Sequence, residues 1–184
     1  MAVLEVLAWP NEFLRRKARA VTTFDADLHQ LVADMTDTMA AEDGVGLAAT
    51  QVGRDLQLLL LHPVAFRGDE AQDEPTIVVI NPEIAFESPE HELGEEGCLS
   101  FPEIFIPVSR PLRATIRAVD LDGKAFELTG EGLGARAILH EIDHLNGVVM
   151  IDHVSFLQKQ RALKKHQKNQ ADRAAAKRKP APKT

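Results

Sequence analysis

Apolar residues recur at helical intervals in the segment from 24 to 44, FDADLHQLVADMTDTMAAEDG. Five of them share this spacing: Leu28, Leu31, Val32, Met35 and Met39. Side chains three and four positions apart are neighbours on a helix, so the pattern predicts an amphipathic α-helix. Asp25 stands near its start as a capping carboxylate, and Gly44 lies just beyond its end.

Two apolar runs after this helix predict β-strands that are buried in a core. LQLLLLHPV spans 56–64 and TIVVINPEI spans 76–84, and the polar stretch RGDEAQDEP separates them as a loop. Farther along, ATIRAVDLDGKAFELTG alternates apolar and polar residues on both sides of Asp122-Gly123. Asp-Gly between two alternating runs predicts a β-hairpin, because both residues tolerate the positive φ angles of a tight turn.

The last third of the chain predicts two helices. GLGARAILHEIDHLNGVV predicts a helix that ends near Asn146-Gly147, and another is expected from about Ser155 into a basic stretch. The final residues, KRKPAPKT, are expected to be frayed. Strands, a hairpin and segregated helices predict an α+β fold rather than alternating βαβ units. We expect antiparallel β-sheets packed around a central helix that carries an HExxH motif, with a C-terminal helix.

The composition fits one globular domain that needs no disulfide. The chain has 184 residues, 45% hydrophobic and 27% charged, which is enough to bury a core. A single cysteine excludes an intrachain disulfide and is typical of a reducing compartment. The N-terminal residues lack a signal-peptide pattern, and no uncharged apolar stretch reaches the roughly 18 residues of a membrane span. We predict a cytoplasmic protein with no membrane and no specific DNA partner.

The charges divide the chain into two parts. Residues 159–184 contain ten Lys or Arg and one acid, a net charge of +9, whereas residues 1–158 contain 11 basic and 27 acidic residues, a net charge of −16. We therefore expect an acidic domain over 1–158 and a basic, helical C-terminal extension with a frayed tail over 159–184.

The stretch HEIDHLNG, from 140 to 147, carries the strongest candidate chemistry. On a helix His140 and His144 stand one turn apart on the same face, so both imidazoles can reach one metal ion. Glu141 is rotated by about 100° from His140. It can reach a water at the metal without being a ligand, which is the position of a catalytic base.

Two histidines need a third ligand, and Cys98 is the best candidate. Asp152 and His153 lie downstream, but neither has the spacing of the longer zincin motifs. Cys98 stands in EEGCLSFP, where Gly97 permits close backbone approach and Pro102 interrupts a regular strand ladder. A His2Cys set supplies three ligands and leaves one position open, as catalytic sites require.

Other polar residues have candidate supporting roles. Glu96 and Asp143 are carboxylates that could hold the ligands or an arginine such as Arg110. In the glycine-rich stretch GVGLAATQVG, from 44 to 53, the informative residue is Gln51. Its amide can donate where negative charge develops on a carbonyl oxygen. The stretch lacks the Lys-Ser/Thr of a phosphate-binding loop.

Together, GVGLAATQ (44–51), EGCLS (96–100) and HEIDH (140–144) resemble the peptide deformylase motifs GxGxAAxQ, EGCxS and HExDH, in the same order. The N-terminal VLAWPNEFLRRKA and the predicted hairpin also resemble the family, so that only the distal tail lies outside the resemblance. It implies that residues 1–158 form a deformylase catalytic domain.

The resemblance implies hydrolysis of the formyl group from the N-terminal formylmethionine of nascent peptides, with release of formate. Cys98, His140 and His144 would bind one divalent metal ion, which the family typically uses as Fe(II), with Zn, Ni or Co as substitutes. The metal would activate water and polarise the formyl oxygen, and Glu141 would act as base and then acid. The side chain of Gln51 and the backbone N–H of Leu99 would meet the oxyanion.

The resemblance also implies a peptide-binding site. Gly46 would offer backbone hydrogen bonds to an extended substrate. The apolar pocket for the methionine has three candidates, Val45, Leu133 and Ala137, each of which could equally be ordinary core. Phe105 stands where the family often has an arginine, and Arg136 stands at a usually apolar position. Arg136 could replace that cation, or it could extend to solvent or pair with a surface acid.

Nascent formyl-Met peptides are the expected partners, and the basic C-terminal helix suggests contact with the ribosome, with a solvated helix as the alternative. Two other classes stay open. A zincin-type metallopeptidase shares HExxH, but it leaves EGCLS unexplained. A non-catalytic, metal-binding protein associated with ribosomes needs neither Glu141 nor an open metal position.

Overall fold

The computed structural model of the protein describes residues 2–178, with side chains described through residue 175. These residues form four α-helices and seven β-strands. In chain order they are α1 (Ala26–Ala41), β1 (Gly46–Ala48), β2 (Leu58–Leu61), α2 (Val64–Arg67), β3 (Ile77–Glu87), β4 (His91–Cys98), β5 (Phe101–Pro111), β6 (Arg113–Val119), β7 (Ala125–Glu131), α3 (Leu133–Leu145) and α4 (Phe156–Arg178). Short 3-10 turns span Glu12–Arg15, Ala49–Val52, Gly68–Ala71 and Met150–Asp152.

The helices and strands predicted from the spacing of apolar residues are confirmed. α1 begins directly after Asp25, whose carboxylate accepts a hydrogen bond from the backbone N–H of Leu28 at 3.0 Å and so caps the first turn. β6 and β7 form the predicted hairpin, in which Gly123 has a φ of 78°. The α+β class with antiparallel sheets and a C-terminal helix is confirmed as well.

Five strands form one antiparallel sheet in the order β1-β2-β3-β6-β7. β2 lies inside it, paired with β1 on one side and with β3 on the other. All four of its leucines are fully buried, and burial of one leucine side chain contributes about 2 kcal/mol. Leu59 and Leu61 pack in a cluster with α3, whereas Leu58 and Leu60 pack in a cluster with α1. The two helices therefore cover opposite faces of this sheet.

α3 carries HExxH and is buried along most of its length, in contact with β1, β2, β5, β6 and β7. A glycine allows the helix to approach the hairpin closely. A Cβ at Gly130 of β7 would lie 2.5 Å from the backbone carbon of Gly134 in α3, so a larger residue would push strand and helix apart. This contact lets the N-terminal end of α3 pack directly against β7.

The hairpin of β4 and β5 was not predicted from the sequence. The two strands form a separate antiparallel sheet. Alternate residues of β5 are buried: Ile104, Ile106 and Val108. Their alternation is an ordinary strand pattern, but prolines at 102, 107 and 111 obscure it because proline cannot donate to a ladder. A two-stranded sheet tolerates them, since each strand has an unpaired edge.

α4 is docked on the domain for much of its length. Ala162 is buried, and His166 Nε2 and Gln170 Nε2 both donate to the backbone oxygen of Trp9 at 2.8 Å. The predicted boundary at 158/159 falls inside this helix and stays a prediction. Of the segment expected to be frayed, 177–178 belong to α4 and 179–184 lie outside the described residues. No helix within residues 2–178 is long and apolar enough to cross a membrane.

Candidate metal centre

The three predicted metal ligands meet between the end of β4 and the middle of α3. One ligand atom from each of Cys98, His140 and His144 lies within 4.8 Å of the others. Cys98 Sγ is 3.2 Å from His144 Nε2. The register of β4 against β5 is interrupted between Gly97 and Cys98, so the regular ladder ends where the thiol meets α3.

The donor set fits a divalent transition metal. His140 Nδ1 is 3.0 Å from Glu96 Oε2, which fixes this nitrogen as the donor and leaves Nε2 as a ligand. Burial lowers the pKa of His144, which favours the neutral imidazole that a metal requires. One sulfur and two nitrogens leave a fourth tetrahedral position for water or substrate.

Glu141 lies beside this donor set with an unsatisfied oxygen. The residue is buried, and its Oε2 has no hydrogen-bond partner among the described residues. Burial raises the pKa of Glu141 to about 7, although positive charge on His140 in the metal-free protein acts in the opposite direction. A cation at the three ligands would lower the value again. A buried carboxyl group with one free oxygen beside the ligands is placed to take up and release a proton.

Gly46 of β1 provides the space that Glu141 occupies. A Cβ built at this position would lie 2.5 Å from Glu141 Oε1 and 2.9 Å from its Cδ. These distances are far below van der Waals contact, so any larger residue would displace the carboxylate. The glycine of the GVGLAATQ segment is thus a steric requirement of the base.

Gln51 points an amide donor into the cluster. Its Oε1 accepts from the backbone N–H of Ala48 at 2.9 Å, which orients the side chain. Nε2 then donates to Ser100 Oγ at 3.3 Å and approaches Cys98 Sγ at 3.6 Å. The role of Ser100 in holding this amide was missed in the sequence, although the residue stands inside EGCLS. Leu99 follows Cys98 in the chain and lines the cavity that opens beside this cluster.

A buried charge network supports His140 from behind. Arg110 donates to both oxygens of Glu96, at 2.7 and 3.0 Å, and to Asp143 Oδ2 at 2.7 Å. His153 Nε2 is 2.6 Å from the same Asp143 oxygen. Burial would raise the pKa of Glu96, but hydrogen bonds from His140 and Arg110 outweigh it and hold the pKa well below its usual range. Glu96 and Asp143 thus occupy the supporting positions expected for them.

Arg136 joins this network from α3. Its Nη1 donates to Val108 O at 2.8 Å and to Glu96 Oε1 at 3.1 Å. Further bonds reach Gly94 O and Glu92 O at 3.3 and 3.1 Å. The alternative in which Arg136 extends to solvent is wrong, because only 8% of the residue is exposed. Its contacts tie α3 to both strands of the β4–β5 hairpin, and a role in substrate binding stays a prediction.

A cavity of about 440 Å³ opens over the ligands. Ten of the predicted site residues line it: Val45, Gly46, Gln51, Cys98, Leu99, Leu133, Arg136, Ala137, His140 and Glu141. His144 is buried and is not among the lining residues. Three lining side chains are large, apolar and exposed: Val45, Phe105 and Leu133. The cavity therefore combines a reactive floor with apolar side chains along its wall, as a site for a small apolar group requires.

Three ligands with an open position, an adjacent carboxyl base and an amide donor define a metal-dependent hydrolase. Residues 3–160 match the family model described as polypeptide deformylase. The chain belongs to the polypeptide deformylase family.

Relatives and solved structures agree with this assignment. A peptide deformylase of Acinetobacter baumannii is 44% identical over 168 residues, covering 91% of this chain and 92% of the relative. The crystal structure of a peptide deformylase from Legionella pneumophila matches with a TM-score of 0.88 and 41% identity, covering 97% of this chain and 100% of that chain. A third match is a peptide deformylase from Synechococcus elongatus in complex with actinonin. Its TM-score is 0.82 at 36% identity, covering 90% of this chain and 88% of that chain.

Proposed function

We propose that this protein hydrolyses the N-formyl group from the N-terminal formylmethionine of nascent polypeptides at the centre formed by Cys98, His140 and His144. One observation carries the proposal. The unpartnered carboxylate oxygen of Glu141 lies beside a three-ligand donor set at the floor of an open cavity. A base without a partner needs a water to act on, and the cavity admits one together with a substrate.

The residues divide the chemistry among them. A bound divalent metal supplies polarisation of the formyl group and a lower pKa for water. Glu141 accepts the proton of the attacking water and delivers it to the nitrogen of the departing amine. Gln51 Nε2 and the backbone N–H of Leu99 donate to the formyl oxygen as it becomes negative. Formate and a free methionine amine are the products.

We propose Fe(II) as the physiological metal, with Zn, Ni or Co as substitutes. The donor set of one thiolate and two imidazoles suits each of these ions. The identity of the metal is tested by anaerobic loading with Fe(II), Zn, Ni or Co, followed by measurement of metal content and turnover. Fe(II) is expected to give the highest turnover at full occupancy.

We place the peptide along β1. This strand is at the edge of the five-stranded sheet, and Gly46 lies in it beside the base. An extended substrate can add to such an edge through backbone hydrogen bonds. The methionine side chain then enters the apolar part of the cavity near Val45, Leu133 and Ala137.

Formate release from formyl-Met-Ala-Ala tests the activity, with protein loaded anaerobically with Fe(II). Glu141→Gln is expected to retain the metal and lose about 100- to 10,000-fold in kcat, the usual contribution of a general base. Cys98→Ala is expected to lose the metal. An unformylated peptide serves as the control for a zincin-type peptidase, and cleavage of its internal bonds would favour that class instead.

We propose that the basic face of α4 contacts ribosomal RNA in the cytoplasm. Truncation is a poor test, because Ala162 and His166 of α4 are buried against the domain. The exposed lysines Lys164, Lys165 and Lys168 can be changed to alanine without touching that face. Ribosome co-sedimentation of this triple variant is expected to fall. Equal binding by the triple variant and by wild type would contradict the proposal.

A further inference from the structure

The entrance of the cavity is strongly acidic. Four exposed carboxylates line it, here called the acidic rim: Glu42, Asp43, Glu95 and Glu103. No Lys or Arg among the described side chains pairs with the first three. A peptide that enters the cavity meets this negative potential next to the metal centre.

Two cations line the same cavity, and they differ in availability. Arg136 is buried and hydrogen-bonded to Glu96 and to backbone oxygens. Arg173 comes from α4, beyond the residues 3–160 that match the family model. Its Nη2 lies 2.8 Å from Glu103 Oε1, and both side chains are more than half exposed. Arg173 is therefore the cation that a peptide can approach.

Glu103 lies close to the chemistry. In the register of the β4–β5 hairpin, Gly97 pairs with Phe105 and Cys98 pairs with Phe101. Glu103 occupies the irregular segment between these partners and has a φ of 62°. The ion pair with Arg173 is thus attached to the part of β5 that faces the metal ligand Cys98.

An exposed ion pair is held weakly, because both groups are well solvated. A charged side chain of the substrate can compete for either partner. While the pair is intact, Arg173 neutralises one of the four rim carboxylates. The charge at the entrance thus depends on a residue of the C-terminal helix.

We infer that Arg173 and Glu103 set the charge preference of the site for the residues that follow formylmethionine. The acidic rim favours peptides with Lys or Arg at these positions, and Arg173 limits that preference. This inference rests on the proposed deformylase function. It assigns α4 a part in substrate selection.

Two peptides measure the preference: formyl-Met-Lys-Lys and formyl-Met-Glu-Glu. The readout is the ratio of their kcat/KM values in formate release, with the metal-loaded full chain. Arg173→Ala is expected to raise the ratio in favour of the lysine peptide by about two- to five-fold at low salt, as the loss of one exposed charge predicts. Glu103→Gln is expected to lower it. Arg173→Lys keeps the charge and is expected to preserve the wild-type ratio.

Salt dependence separates an electrostatic role from a structural one. The screening length falls from about 10 Å at 0.1 M salt to about 3 Å at 1 M. The differences between variants are therefore expected to shrink at high salt. Arg161→Ala, a change of an exposed arginine on the same helix, is the matched control and is expected to match wild type.

The outcomes distinguish this inference from the proposed function. If wild type releases formate but Arg173→Ala and Glu103→Gln leave the ratio unchanged, the inference is overturned and the deformylase function stands. A shift that persists at 1 M salt, or that Arg161→Ala reproduces, also overturns it. If wild type releases no formate from either charged peptide or from formyl-Met-Ala-Ala, both proposals fail.

Discussion

Two arginine–carboxylate pairs of nearly equal length lie at the bottom and at the entrance of the same cavity. Arg110 contacts Glu96 at 2.7 Å beneath the ligands, and Arg173 contacts Glu103 at 2.8 Å at the rim. The buried side chains are 6% and 3% exposed, whereas those at the rim are 52% and 62% exposed. Burial, not distance, separates the two pairs.

The difference in burial gives the pairs different roles. The lower pair is desolvated, and loss of one partner would leave a charge without compensation. It can therefore hold His140 and the β4–β5 hairpin in one arrangement. The upper pair exchanges readily with water and ions, so it adds little to stability. Such a pair can tune substrate preference because its partners are available to a ligand.

Removal of Glu96 is expected to have the largest effect on stability. Glu96→Ala leaves Arg110 and Arg136 without their shared carboxylate and His140 without its hydrogen-bond acceptor. Breaking a buried pair costs about 3–5 kcal/mol, and metal affinity is expected to fall as well. Denaturant unfolding of the metal-free protein and metal titration measure the two effects. Glu127→Ala, which removes an exposed pair with Arg117, is the control, with an expected cost below about 1 kcal/mol.

Gly46→Ala is expected to affect catalysis more than folding. The added Cβ meets Glu141 Oε1 at 2.5 Å and must displace it. Misplacing a catalytic group by about 1 Å can cost on the order of 100-fold in rate. Formate release should fall by about this factor while metal content stays at the wild-type level. Val45→Ala at the neighbouring position is the comparison, and an equal loss of kcat in both variants would contradict the steric explanation.

Arg136→Leu distinguishes the buried arginine from the one at the rim. Glu96 retains Arg110 in this variant, so the expected loss of stability is smaller, about 1–3 kcal/mol. If Arg136 only holds the β4–β5 hairpin, the ratio of rates for lysine and glutamate peptides stays at its wild-type value, unlike in Arg173→Ala. A changed ratio at wild-type stability would instead support a substrate-binding role for Arg136.

The side chain of Asp152 is 25% exposed, between the buried pair and the rim pair. Its replacement is expected to give the smallest loss of stability. Burial would raise its pKa, but hydrogen bonds from Arg15, Val149 N and Lys159 outweigh this and lower it. Its carboxylate thus stabilises the fold above the unfolded pKa of about 3.9 and loses this effect as the pH falls below that value. The free energies of unfolding of wild type and Asp152→Asn should differ by about 1 kcal/mol at pH 7. The difference should shrink from about pH 4 downward.

Local patterns in the sequence were sufficient for much of the fold. The cap at Asp25 and the turn at Asp122-Gly123 act over a few residues, so they can be read directly from the chain. The β4–β5 hairpin was missed because its prolines and glycines obscure the alternation. Its pairing depends on packing against Leu14 and Met150, which are distant in sequence.

The site could be predicted where its chemistry repeats a motif. HEIDH placed two ligands and the base on one helix, and the need for a third ligand with an open fourth position indicated Cys98, in agreement with the resemblance to deformylases. The partners of Arg136 could not be predicted in this way. Arg136 stands four residues before His140, which puts it on the ligand face of α3. Its direction is decided by Glu96 and by strand carbonyls that lie between 28 and 44 positions earlier in the chain. Arg173 was missed because a basic run gives no indication of which cation returns to the cavity.

The double burial of β2 has a consequence for hydrogen exchange. The amides of Leu58–Leu61 lie between two neighbouring strands and beneath side chains on both faces. Water can reach them only when the sheet separates, so these amides should be the last to take up deuterium. Their protection then reports the global free energy of unfolding, residue by residue. The same four leucines would serve as an internal reference for local opening elsewhere in the molecule.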